Sequence, residues 1–216
     1  MSKNCKFEVG EFHFDKFTKP IRTKKDLIFI FLEAMNAILL NNNIQQQNRG
    51  TITVIIEKMS RIFFDFDEKR YSFIFPFGLD QRRDEDAFDI VEPYTDSVID
   101  YCTISCMKSI LANVELSCMT FEELIDQAYF NSFDETYDAK QVDRCCMLLT
   151  RLFVEEWGYI RYDYDVEHQN GDRHPLNHLD VNFSSRCTYK LGLKKEMKMD
   201  ELIDLVDIQT DCRYVV

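Results

Sequence analysis

Glycine and proline are scarce in this chain, at 6 and 4 of 216 residues. That shortage excludes collagen-like and low-complexity architecture and leaves little material for long flexible linkers. Basic charge is also short. The 26 Lys and Arg face 38 Asp and Glu, for a formal net charge of -12. Such a balance repels nucleic-acid backbones unless a local basic patch or a metal offsets it, and it favours basic partners. The stretches Lys16 to Lys25, Arg82-Arg83 and Lys190 to Lys198 give only a modest local basic excess and read as solvated faces.

Several motifs are missing as well. No Gly-x-Gly-x-x-Gly and no Gly-Lys-Ser/Thr loop is present, which argues against a conventional nucleotide site. There is no Gly-x-Ser-x-Gly elbow and no Cys-x-x-Cys pair of the kind that holds structural zinc. The start, Met-Ser-Lys-Asn-Cys-Lys, lacks a signal-peptide pattern, and the eight cysteines lie mostly in apolar patterns. Both features read as a cytoplasmic protein with reduced, buried thiols. Leu27 to Leu40 is almost wholly apolar, but it is too short to cross a bilayer and contains Glu33 and Asn36. It predicts a buried helix and no membrane partner.

Core material is ample. The hydrophobic share is 45%, with 18 Phe and 10 Tyr. The expected fold is a single compact α+β domain over residues 1–216, with antiparallel sheet segments from both halves and several packed helices. The charged stretch Asp80 to Glu92 reads as an exposed loop and as the best domain boundary if one exists.

Along the chain, Phe7 to Phe17 suggests a strand or an extended arm. Thr23 caps a helix to about Leu40, which Asn41-Asn42-Asn43 would stop, and a polar loop through Gly50 follows. Thr51–Ile56, Arg61–Phe66 and Tyr71–Phe77 carry β signals, the last two as a hairpin that Pro76 limits. Their aromatics predict a packed sheet core in preference to a base-stacking platform. Val98, Cys102, Cys106 and Ile110 recur at helical spacing, so Cys102 and Cys106 read as core residues on one face. Thr120 and Glu123 form a capping box. Asp138 caps a helix with Val142, Cys145, Leu149 and Leu152 on its face, ended by Gly158; of Cys145 and Cys146, one should be buried and one half-buried. Tyr159–Asp165, Leu179–Phe183 and Arg186–Leu191 alternate as strands, Ser184-Ser185 reads as a turn, and a last helix covers about Asp200–Val206.

Three of the four histidines, His168, His174 and His178, crowd into one stretch of this second β region. Strand alternation puts Arg161, Asp163 and Asp165 on one face and Ile160, Tyr162 and Tyr164 on the other. It groups His178 with Asp180, Asn182 and Ser184. If the two strands pair antiparallel, the polar faces lie side by side, with His174 in the approach and His168 left in an exposed loop. The candidate catalytic residues are His174, His178, Asp163 and Arg161: a histidine as general base and Arg161 to stabilise an anionic transition state. The candidate metal ligands are His174, His178, Asp180 and Asp165, since imidazole and carboxylate suit divalent transition metals. Either chemistry suits phosphodiester cleavage. Pro175 rules out the helical zinc-hydrolase pattern for His174-x-x-x-His178. Polar residues on a half-exposed antiparallel sheet also need no function to explain them.

The run Glu155-Glu-Trp-Gly158, Arg161-Tyr-Asp-Tyr-Asp165 and His174-Pro-Leu-Asn-His-Leu-Asp180 resembles the C-terminal part of a bacterial family of about this length and without an assigned activity. The resemblance covers the last quarter of the chain. It implies a bacterial, cytoplasmic protein encoded among phage-defence or mobile-element genes, and carries over no catalytic residue. Two functions are expected from these observations. One is an acidic interaction or accessory component that binds a basic protein, of phage-defence or toxin-antitoxin type, with no cofactor. The other is a small metal-dependent or histidine-based phosphodiesterase or nuclease acting through the cluster, with nucleic acid as partner only in this case.

Overall fold

The structure, a computed structural model, describes residues 3–40, 48–56, 59–82, 87–113, 120–131, 137–184 and 186–214. The fold is α+β with antiparallel sheets, as the alternation of β and helical patterns predicts. The chain divides into two compact units. One comprises Met1–Arg22, Asn43–Phe77 and Trp157–Val216; the other comprises Thr23–Asn42 and Gly78–Glu156.

The first unit holds a seven-stranded antiparallel sheet in the order β1-β2-β3-β4-β8-β9-β10. Its strands are β1 (Lys3–Val9), β2 (Gly50–Ile56), β3 (Arg61–Phe66), β4 (Lys69–Ile74), β8 (Ile160–Tyr164), β9 (Asn177–Val181) and β10 (Tyr189–Leu193). Helices α1 (Glu11–Phe17) and α6 (Met199–Val206) belong to it. The arm expected over Phe7–Phe17 is therefore a strand followed by a helix, in which His13 and Phe17 recur four apart on the buried side. The β3–β4 turn is shorter than expected, because pairing continues to Phe66 opposite Lys69. Strand β4 stops at Ile74, before Pro76.

One face of this sheet changes character across its width. Ile52, Phe64 and Tyr71 lie side by side on β2, β3 and β4 and are fully buried. Phe64 and Tyr71 stack with centroids 4.4 Å apart, Phe17 of α1 covers Phe64, and the Tyr71 hydroxyl donates to Phe17 O at 2.9 Å. The next residue in that row is Arg161 of β8, then Asp180 of β9, then Lys190 of β10. The opposite face of β8–β10 stays apolar: Tyr162, Leu179, Met197 and Leu202 form a buried cluster with α6.

The second unit contains α2 (Lys24–Leu40), α3 (Tyr101–Asn113), α4 (Phe121–Asn131) and α5 (Ala139–Val154). It also has a three-stranded sheet, β5 (Gly78–Gln81), β6 (Phe88–Glu92) and β7 (Ser97–Ile99). The three N-caps the sequence predicts are present. Thr23 and Asp26 bond reciprocally, as do Thr120 and Glu123, and Asp138 accepts from Gln141 N–H at 2.8 Å. Helix α2 buries ten of its residues, and no helix among the described residues is long and apolar enough to cross a membrane. Glu33 on α2 meets Lys108 on α3 at 2.5 Å, and Arg151 on α5 meets the buried Glu92.

Some expectations need correction. Asp80 to Glu92 is largely a hairpin, because Leu79 and Ile90 pair across it and bury inward. The acidic residues 84–86 lie outside the described residues, as do Asn41-Asn42-Asn43, the Gln45-Gln46-Gln47 run and Ser185. Val98 belongs to β7, not to α3. Helix α5 ends at Val154, ahead of Gly158. Cys145 and Cys146 are both buried, whereas Cys102 is exposed and accepts a bond from Gln141; only Cys106 of that pair is in the core. Cys187 and Cys212 are exposed too.

Candidate functional site

Register brings the predicted residues together. Strands β8 and β9 pair antiparallel with Arg161 opposite Asp180 and Asp163 opposite His178. The 165–176 connection closes on itself: Asp165 N–H donates to Leu176 O at 2.9 Å and Asn170 N–H to His174 O at 2.9 Å. It leads His174 and Pro175 back over the polar face. Gly192 of β10 stands opposite His178, and a Cβ there would meet Pro175 Cγ at 3.0 Å. A glycine at that point lets the proline settle against the strand.

Arg161 is the centre of charge. Its Nε donates to Asp163 Oδ2 at 2.7 Å, and its Nη2 reaches Asp163 Oδ2 at 2.6 Å and Asp180 Oδ2 at 2.5 Å. Burial opposes its charge, but Tyr159 and the two carboxylates outweigh burial and raise its pKa further. These guanidinium donors are committed to carboxylates. Arg161 therefore fits a positioning role better than contact with an anionic transition state. Asp180 is 7% exposed, and its Oδ1 is buried without a hydrogen-bond partner; Lys190 Nζ is 4.0 Å from it.

The histidine tautomers follow from their partners. His178, 1% exposed, has Nδ1 at 2.9 Å from Pro175 O, and a carbonyl oxygen only accepts. Nδ1 therefore carries hydrogen, which leaves Nε2 facing Asp163 Oδ2 at 3.6 Å and Lys190 Nζ at 3.5 Å. His174 Nε2 lies 3.0 Å from Asp165 Oδ2. Burial tends to raise the Asp165 carboxyl, but bonds from the His168 N–H, the His168 ring and the His174 ring prevail and hold its pKa at about 2. An ionised carboxylate accepts, so His174 Nε2 donates and Nδ1 is left without hydrogen; Lys190 Nζ lies against this ring, 3.3 Å from Nδ1 and 3.4 Å from Nε2. The His174 and His178 rings meet edge to face with centroids 4.7 Å apart.

All six predicted site residues thus belong to one connected patch, though the grouping within it differs from expectation. Asp163, His178 and Asp180 can each present a ligand atom within 4.8 Å of the others. Asp165 instead serves His174 and His168. His168 is exposed, as expected, but tied to Asp165 by its backbone and ring. Asn182 and Ser184 leave the face, because β9 ends at Val181 and Asn182 turns into the left-handed region at φ 66°. Lys190, in a basic stretch expected to be a solvated face, is a further component of the patch. Its alternation along β10, opposite Asp180, is the signal that would have placed it. Lys69 of β4 stands beside Asp163 but donates to Thr18 O and Lys19 O; burial and then the Arg161 charge push it down to about 8.

No family model, curated protein or solved structure matches the chain.

Proposed function

We propose that this is a small hydrolase of phosphodiesters whose site is the polar face of β8–β10. One observation carries the reading. Two imidazoles, each with one N–H fixed on an acceptor, pack around a single cation: Lys190 Nζ is 3.5 Å from His178 Nε2 and lies against the His174 ring, 3.3 Å from Nδ1 and 3.4 Å from Nε2, off the Nδ1 lone-pair direction. A nitrogen so placed is a general base beside a positive charge. His174 Nδ1 takes a proton from water as the water oxygen attacks phosphorus. Asp165 holds the imidazolium, the cation at the Lys190 position faces the phosphoryl oxygens, and the protonated His174 returns its proton to the leaving oxygen.

The overall charge does not oppose this reading, because it is unevenly shared. Over the unit that contains the site, 18 Asp and Glu balance 18 Lys and Arg. The other unit has 20 acidic residues against 8 basic ones, which accounts for the whole net charge of -12. The same asymmetry favours a second reading: the acidic unit would bind a basic protein, as in an accessory component of a bacterial, cytoplasmic defence or toxin-antitoxin system. Such binding should weaken with salt.

Hydrolysis of bis-p-nitrophenyl phosphate tests the first reading. His174 is less buried than His178, so His174→Ala should keep its circular dichroism spectrum while turnover falls about 100-fold. Turnover unchanged in that variant, or none in the wild type, sinks the hydrolase.

A further inference from the structure

The Lys190 ammonium occupies a position with unusual surroundings. His178 Nε2 is 3.5 Å away, His174 Nδ1 3.3 Å and Asp180 Oδ1 4.0 Å. The His178 imidazole lone pair and a buried carboxylate oxygen suit a transition metal more than an ammonium ion, and the His174 ring only flanks the position, its Nε2 3.4 Å from Lys190 Nζ. Asp180 Oδ1 is buried and lacks a hydrogen-bond donor, a costly arrangement unless a cation meets it closely. Lys190 does so only at 4.0 Å, and its side chain is 38% exposed, so it can swing into solvent.

We propose that Asp163, His178 and Asp180 bind a divalent transition-metal ion, and that Lys190 is the internal cation that the ion displaces. The proposal deepens the hydrolase reading by naming the ion at that same site. Three protein ligands with an open position are the usual composition of a catalytic zinc site. Ligand atoms around a tetrahedral ion lie roughly 3.4 Å apart when each bond is about 2.1 Å. His178 Nε2 and Asp163 Oδ2, at 3.6 Å, are already near that spacing. His178 Nδ1 donates to Pro175 O, the outer bond that fixes a ligating imidazole in its tautomer. Arg161 holds both carboxylates against their mutual repulsion from the side away from Lys190. His174 is not a ligand here. Its Nδ1 borders the displaced ammonium and is placed to take a proton from an ion-bound water, which loses it more readily than free water does.

The displacement gives the proposal an unusual signature. Lys190→Met removes the competitor and should tighten Zn2+ binding by about tenfold, whereas Asp180→Asn and His178→Ala should weaken it by at least as much. Equilibrium dialysis with Zn2+, read by elemental analysis, measures all four proteins, with one ion per chain expected for the wild type. Equal affinity of wild type and Lys190→Met would overturn the displacement. No stoichiometric Zn2+ in either would overturn the ion site as a whole. Hydrolysis by chelator-treated, zinc-free protein would overturn the ion's role while the histidine-based reading survives; Zn2+ bound without hydrolysis would support the ion site and count against the hydrolase.

Discussion

Arg161 is where the cluster is most exposed to a single change. It lies between two carboxylates on neighbouring strands, with bonds of 2.5 to 2.7 Å to them. Replacement by methionine keeps most of the volume but leaves Asp163 and Asp180 facing each other in a low-dielectric site. Removing one partner of a buried ionic group typically costs about 3–5 kcal/mol. Part of this patch is solvated, so the lower end is expected for Arg161→Met in a urea unfolding experiment. A loss under about 1 kcal/mol would mean that the carboxylates are screened like surface groups. Much of this arrangement was legible in the chain. Alternation alone puts Arg161 with Asp163 and His178 with Asp180, and the antiparallel pairing then sets them opposite. Lys190 was less legible, because it arrives from a third strand: alternation places it on the polar face only once β9 and β10 are paired, and no local pattern links it to a histidine 16 residues earlier.

At the level of elements, local chemistry predicted helices better than loops. Each predicted N-cap is made, because a side-chain oxygen three residues before an unpaired N–H needs no tertiary help. The hairpin of β5 and β6 was hidden by its charges, and α1 by two phenylalanines spaced as in a strand. Burial of Phe17 and His13 decided the second case. One cap was overlooked. Asp100 Oδ1 accepts from Thr103 N–H at 2.8 Å and from the Thr103 hydroxyl at 2.7 Å at the start of α3. The hydroxyl bond and then the backbone bond favour the ionised carboxyl and lower its pKa. A carboxyl lowered on folding stabilises at pH above its unfolded value of about 3.9 and loses that contribution as pH falls through the folded value. Asp100→Ala should therefore cost about 1 kcal/mol near pH 7, and the gap from wild type should close in acid. Denaturant unfolding at both pH values checks this; a gap that persists at the acid end would show that the cap's carboxyl charge is irrelevant.

At the scale of the molecule, the distribution of charge matters more than its total. The chain crosses between its two units several times, yet leaves one neutral and gives the other 20 acidic residues against 8 basic. Like charges at this density repel one another in the folded state, and the repulsion is long-ranged where solvent is the medium. Salt relieves it: the Debye length falls from about 30 Å at 0.01 M to about 8 Å at 0.15 M. The Asp163–Arg161–Asp180 group is shorter-ranged and partly buried, so the same salt touches it little. Amides of α3 and α5 should therefore gain protection from hydrogen exchange as salt rises over that range, while amides of β3, β4 and β8 change less. A gain of about 1 kcal/mol in local stability corresponds to roughly fivefold slower exchange. Peptide-resolved exchange at the two ionic strengths reads both units in one sample. An equal response in both, or a response confined to the sheet, would mean that the acidic unit's charges are already compensated, and the case for a basic partner on that unit would lose its physical ground.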